Sequence, residues 1–253
     1  MSRCGDSAPV VPSADLVPPA DLVPPSLLVA PPAVAPVLDI SSLYVSDISD
    51  AAFVLDTHGC CVFRSCLEDD FLFWWRVAMG KVDRKGCSER EPFDGTHFSF
   101  NSCRDLPTHH YQRLIEDQNL RHVVNTLLTP GWCVNRCGGD VVTGGSTSAQ
   151  PLHSDWDEYP TSSMKWSYAL VASIALCDVP AEHAALRVVP WSVPGWQRLP
   201  YPDKEEQGML CGCSLPLQKG DVLLRDCRMA HSGMPNESSI DRVLPGSPLN
   251  PSP

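Results

Sequence analysis

His153 and Asp155 stand two apart near the end of the run Gly144-Gly145-Ser146-Thr147-Ser148-Ala149-Gln150-Pro151-Leu152-His153-Ser154-Asp155-Trp156. The start of that run reads as a flexible loop and its end as a short strand. On a strand, residues two apart point to the same face. An imidazole beside a carboxylate supplies two of the three protein ligands of a facial iron site, whose open positions admit a co-substrate and O₂. The third ligand of such a set is a second histidine. Taken alone, His-x-Asp also describes a strand-end histidine hydrogen-bonded to a neighbouring aspartate, and that arrangement is the commoner one.

Support for the metal reading comes from far downstream, in Lys219-Gly220-Asp221-Val222-Leu223-Leu224-Arg225-Asp226-Cys227-Arg228-Met229-Ala230-His231-Ser232-Gly233-Met234-Pro235-Asn236, followed by Arg242. A turn at Lys219-Gly220-Asp221 opens an apolar strand that closes on His231. A Gly/Pro/Asn loop follows, and a return strand begins near Arg242. This hairpin is expected to set Arg242 beside His231. A guanidinium fork suits a bidentate grip on a carboxylate. Asp226 and Arg228, alternating on the same strand, are read as structural.

At these residues the chain resembles the phytanoyl-CoA dioxygenase family, Fe(II)- and 2-oxoglutarate-dependent oxygenases built on a double-stranded β-helix. The resemblance rests on His153-Ser154-Asp155, on distant His231 and on Arg242 eleven residues beyond it. Gln150 to Trp156 is close to the family's form around its first ligands. Ala184-Ala185-Leu186-Arg187-Val188-Val189-Pro190-Trp191-Ser192 resembles a family run that ends in Pro-Gly-Ser-His, with Ala185 standing where the family has glycine. The likeness extends over roughly residues 50–244 as an order of motifs. It implies that His153, Asp155 and His231 bind Fe(II) and that Arg242 holds the distal carboxylate of 2-oxoglutarate. It further implies hydroxylation of a small organic or lipid-like substrate with release of succinate and CO₂, and leaves room for ascorbate as an accessory reductant. Two other readings stand beside it: a catalytically inactive metal-binding relative, and an interaction protein that works through its Pro-rich arm.

Size and charge narrow the field. The chain has 253 residues, of which 43% are hydrophobic, enough for one large domain with a tail. A net charge of -11 without a basic run argues against nucleic acid or an anionic membrane as partner. The 12 cysteines follow no zinc-knuckle spacing and read mostly as reduced thiols of an intracellular, cytoplasmic protein.

The elements that must position the site follow from the chain order. Residues 1–39 are Pro-rich, and Ala14-Asp15-Leu16-Val17-Pro18-Pro19 repeats at once as Ala20-Asp21-Leu22-Val23-Pro24-Pro25. Such a segment is expected to be a disordered, extended arm, with docking to a proline-recognising protein as the sharper alternative. The domain spans 40–246. Residues 52–55 and 59–64 are expected as strands. Ser65 and Glu68 have the form of a capping box, before a helix with Leu67, Phe71, Trp74 and Ala78 on one face. Residues 80–107 read as a long loop in which His97, Phe98 and Phe100 could line an entrance, although a satisfied surface histidine is the more frequent case. A helix is expected over 108–128. Strands follow at 132–135, 140–143, 166–176, 186–189, 209–217 and 222–224. Trp156 and Tyr159 could face a substrate. Pro245-Gly246 breaks the last strand and leaves 247–253 as a disordered tail, so that the barrel lacks a strand behind Arg242. The expected class is mainly β with flanking helices (α+β), a jelly roll of the cupin-like kind.

Overall fold

The Asp39 carboxylate accepts from the Ser41 amide and starts a 3-10 turn over Ile40–Leu43. The computed structural model describes residues 39–80, 87–101, 118–127, 132–134, 138–155, 170–190 and 212–250. The expected Pro-rich arm, residues 108–117 of the expected helix, and Trp156 and Tyr159 lie outside them.

After β1 (Tyr44–Val45) comes α1 (Ile48–His58), where residues 52–55 were expected as a strand. The ends decide it. Asp47 accepts from the amide and hydroxyl of Ser49, and Gly59 closes the helix in the left-handed conformation at φ 80°. Ala51, Val54 and Leu55 then fall on one buried stripe while Phe53 is 70% exposed. β2 (Cys60–Phe63) is wholly buried, as a central strand should be.

The capping box does not form, since α2 spans Asp69–Met79. Tertiary bonds claim Ser65 instead. Its amide and the Arg64 guanidinium both donate to the buried Asp221 carboxylate, and the Leu67 amide donates to the Gly220 carbonyl. The buried stripe of α2 is Leu72, Trp75 and Met79, rotated from the expected face; Phe73 and Trp74 are half exposed. The expected loop over 80–107 contains β3 (Ser88–Glu89) and β4 (His97–Asn101). Then come α3 (Gln118–Leu127), β5 (Cys133–Val134), β6 (Gly138–Val142), β7 (Leu170–Ile174), β8 (Leu186–Val188), β9 (Cys213–Leu215), β10 (Val222–Asp226), β11 (His231–Ser232) and β12 (Arg242–Asn250).

Two sheets result. The major one runs β1-β2-β10-β7-β12-β6-β4-β3, with β5 also paired to β12; the minor one runs β11-β8-β9. β1 and β2 pair in parallel and the other pairs are antiparallel. The core joins α1 and α2 to the major sheet, with Leu55, Leu72, Trp75, Val62 and Leu223 in one apolar cluster. Each such side chain, fully buried, contributes about 1.5–3 kcal/mol. The class is the expected one, mainly β with flanking helices in a jelly roll.

The expected tail is a strand. β12 continues through Pro245-Gly246 to Asn250, pairing Arg242 to Gly246 with β6 and Gly246 to Leu249 with β7. Its prolines explain how. Pro245 is paired only towards β6 and Pro248 only towards β7, so each has one flank on which a missing N–H interrupts no ladder. The chain beyond Arg242 is therefore strand, flanked by β6 as far as Gly246 and by β7 from Gly246 to Leu249.

Candidate metal centre

At Cys227 the chain leaves the major sheet, turns through Met229, whose amide donates to the Asp226 carbonyl, and enters the minor sheet as β11. The segment carrying His153 lies along that corner. The Gln150 amide donates to Gly233 O, His153 and His231 exchange backbone bonds of 3.0 and 2.8 Å, and the Asp155 amide donates to Cys227 O. Directly paired antiparallel residues project to the same face, and so does a residue two further on. His153, His231 and Asp155 therefore converge by register alone. A slip of one residue would send the His153 and Asp155 side chains to the opposite face.

The imidazole centroids are 4.4 Å apart. His231 Nε2 lies 3.6 Å from Asp155 Oδ1, and one ligand atom from each of the three residues falls within 4.8 Å of the others. The ring orientations are pinned from behind. His153 Nδ1 is 2.9 Å from Pro151 O and His231 Nδ1 is 3.0 Å from Met229 O. A carbonyl only accepts, so each Nδ1 donates to it and Nε2 is the ring atom left to meet a metal. This second-side bonding is what orients histidine ligands of metals. The donor set, two imidazoles and one carboxylate, fits a divalent transition metal.

Burial drives His231 down to about 3, helped by the neighbouring Arg225 cation, so the imidazole is neutral throughout the neutral range. For Asp155, burial alone would raise the carboxyl. The Arg225 guanidinium and the facing histidines outweigh it and hold the group well below the usual carboxylate range. Arg225 Nη2 donates to Asp155 Oδ2 at 2.5 Å. Arg225 went unnoticed in the sequence, where it passes for one more residue of a strand. Its signal was there to use: a charged residue inside a run as apolar as Val222-Leu223-Leu224 is seldom buried without a partner.

Arg242 shares a cavity of about 420 Å³ with His153, Asp155 and His231. It is 1% exposed, its Nε has no partner among the described residues, and Nη1 reaches only the Asp140 carbonyl at 3.5 Å. The expected hairpin between His231 and Arg242 does not form. The two belong to different sheets, β11 in the minor and β12 in the major, and line the cavity from both. Ser154 and Leu186 also line it.

The expected entrance residues are elsewhere. His97 is buried with Nε2 bonded to Ser148 O at 2.8 Å, and Phe100 belongs to the core. On that side the wall consists of Glu89, Arg90, Glu91, Phe93 and Ser99, brought there by β3, β4 and the turn between them. Ser99 accepts from Arg90 and donates to Asp140, tying the wall to β6.

A family model for phytanoyl-CoA dioxygenase matches residues 55–244. The chain belongs to the phytanoyl-CoA dioxygenase family. Its members are 2-oxoglutarate-dependent non-haem iron enzymes. Solved structures of the same fold include HygX from Streptomyces hygroscopicus with nickel and 2-oxoglutarate bound, at 16% identity and TM-score 0.61, covering 80% of this chain and 87% of that one. The carbocyclase SnoK from nogalamycin biosynthesis is 18% identical with TM-score 0.64, covering 79% of this chain and 83% of its own. EctD from S. alaskensis, with 2-oxoglutarate and 5-hydroxyectoine, is 20% identical with TM-score 0.61, covering 79% and 74%. A search of curated protein sequences finds no match. Among the described residues, no helix is long and apolar enough to cross a membrane.

Proposed function

We propose that this protein is an Fe(II)- and 2-oxoglutarate-dependent dioxygenase that hydroxylates a small organic substrate and releases succinate and CO₂. His153, Asp155 and His231 hold the metal, and Arg242 pairs with the distal carboxylate of 2-oxoglutarate. The observation that carries this reading is the cavity itself. A three-residue donor set and a buried guanidinium, whose Nε has no partner among the described residues, face the same 420 Å³ space. A buried cation without an anion costs several kcal/mol, and a carboxylate arriving from solvent removes that cost. When bound, the metal supplies the activation of O₂.

The chain's own residues do the rest. The carbonyls of Pro151 and Met229 hold the two Nδ1 atoms and so fix the orientation of both rings. The low proton affinity of His231 keeps it available as a ligand well below neutral pH. HygX and EctD, solved with 2-oxoglutarate, support the co-substrate. The described walls carry Glu89, Arg90, Glu91 and Asp140, which favours a small polar substrate over a lipid-like one. We place the protein inside the cell on its thiols: among the described residues Cys60, Cys61, Cys177, Cys213 and Cys227 are in no disulfide.

The test is succinate release from 2-oxoglutarate by the iron-loaded protein, comparing wild type with His231→Ala. Wild type should turn over and the variant should fall to background. Equal release from both would overturn the assignment.

A further inference from the structure

Arg225 is placed to do more than fill a strand. Its backbone is fixed from both sides in the major sheet, opposite Cys60 of β2 and Val171 of β7. Its side chain is buried and crosses to the outer oxygen of Asp155, while the other oxygen of that carboxylate faces His231. Two of its remaining donors, Nε and Nη1, have no partner among the described residues. Burying a guanidinium with most of its donors unmet is costly, and a methionine of similar length would pack there without that cost. The contact with Asp155 is what the strand gains in return.

We propose that Arg225 is a positioning residue that restricts Asp155 to a single coordinating oxygen and thereby keeps room on the metal for 2-oxoglutarate. The inference rests on the functional reading above. A free carboxylate can turn and bind a metal through both oxygens. An octahedral ion held by two imidazoles and one carboxylate oxygen keeps three positions, two for a keto acid and one for O₂. A second carboxylate oxygen would occupy one of those three. With Oδ2 engaged by a charge-assisted bond to a side chain anchored in the middle of a sheet, Oδ1 alone is free to coordinate.

Removing Arg225 therefore has two separable consequences. A divalent metal binds as tightly as before or tighter, because a nearby positive charge is gone and a chelating carboxylate is available. The co-substrate binds more weakly, because a position it needs is taken. A merely structural arginine gives neither split, since loosening the site weakens both together.

The experiment is an anaerobic titration of wild type, Arg225→Gln and Arg225→Lys, first with Fe(II), followed by heat release, and then with 2-oxoglutarate, followed by the metal-to-ligand absorption band. For Arg225→Gln the expected result is an unchanged or lower dissociation constant for iron and a dissociation constant for 2-oxoglutarate raised about 10-fold or more. Arg225→Lys, which keeps the charge but loses the fork, should fall between. Parallel loss of both ligands, or unchanged 2-oxoglutarate binding, overturns the proposal. Difference infrared spectra of metal-free and metal-loaded wild type give a check that needs no variant. A wide separation of the carboxylate stretches is expected for one-oxygen binding, and a narrow one contradicts it. Wild type that takes up no iron defeats the functional reading and this one with it. Wild type that binds both ligands while Arg225→Gln matches it defeats this one alone.

Discussion

Arg225 and Arg242 both lie on strands of the major sheet, and both are nearly sealed from solvent, at 5% and 1% exposure. Their partners differ. Arg225 meets a carboxylate of its own chain at 2.5 Å, while Arg242 has only a long contact to the Asp140 carbonyl and an orphaned Nε. Folding gives one cation a carboxylate and gives the other none among the described residues. Proteins seldom bury a charge without compensation. On the roles proposed above, the difference separates a group that shapes the site from a group that takes a ligand, although both are arginines on strands of one sheet.

Arg242→Met breaks this comparison with the largest effect. Losing one partner of a buried charge pair costs about 2–5 kcal/mol of binding, so 2-oxoglutarate affinity should drop by roughly 100-fold or more while iron affinity is kept. The same change should not weaken the ligand-free protein. Removing a buried, unpaired cation in favour of an apolar side chain is neutral or mildly stabilising. Titration of 2-oxoglutarate and urea unfolding of the metal-free variant read the two halves separately. Undiminished 2-oxoglutarate binding would mean that Arg242 is not its anchor.

The contrast between the two arginines also marks what the amino-acid order could convey. His153, Asp155, His231 and Arg242 were legible because spacing along a strand and motif order survive without knowledge of the fold. Arg225 was not, because its meaning depends on which strand crosses it. Nothing local to Val222-Leu223-Leu224-Arg225-Asp226 says that a loop 70 residues earlier delivers a carboxylate there. The strand set and its class were readable from apolar runs and turns. The run Ala52-Phe53-Val54-Leu55 misled because β-branched and aromatic residues outweighed the caps at Asp47 and Gly59. The last strand, expected to end at Pro245-Gly246, runs on to Asn250 for a related reason. Proline was read as a breaker, when its cost depends on which flank of the strand is paired.

That last strand lets the comparison be probed from behind Arg242. Leu249 is fully buried in β12, opposite Val134 of β5 and Leu170 of β7. Leu249→Ala should cost about 2–5 kcal/mol in urea unfolding, as deletions in a packed core do. An unstructured tail would give no change. Since β12 also carries Arg242, 2-oxoglutarate binding should suffer more than iron binding, whose ligands lie at the corner beside the minor sheet.

The smallest effect is a pH dependence that both arginines share. Each stands near a buried histidine: Arg225 near His231, Arg242 near His97. Both imidazoles are pushed down, by burial first; the adjoining guanidinium contributes to each, and for His97 the Ser148 carbonyl opposes the shift. A histidine that refuses a proton when folded but accepts one near pH 6.5 when unfolded contributes stability above that value and loses it as the pH falls. Between pH 7.5 and 5.5 the metal-free protein should therefore lose up to about 1 kcal/mol for each such histidine. Asp155, held low, joins the loss only once the pH drops below the ordinary carboxylate value near 4. His97→Asn removes one of the two histidines without touching the metal ligands. It should flatten the slope measured by urea unfolding at the two pH values, while iron binding at pH 7.5 stays as in wild type. An unaltered slope would mean that His97 takes up its proton in the folded state, and that Arg242 does not hold it neutral.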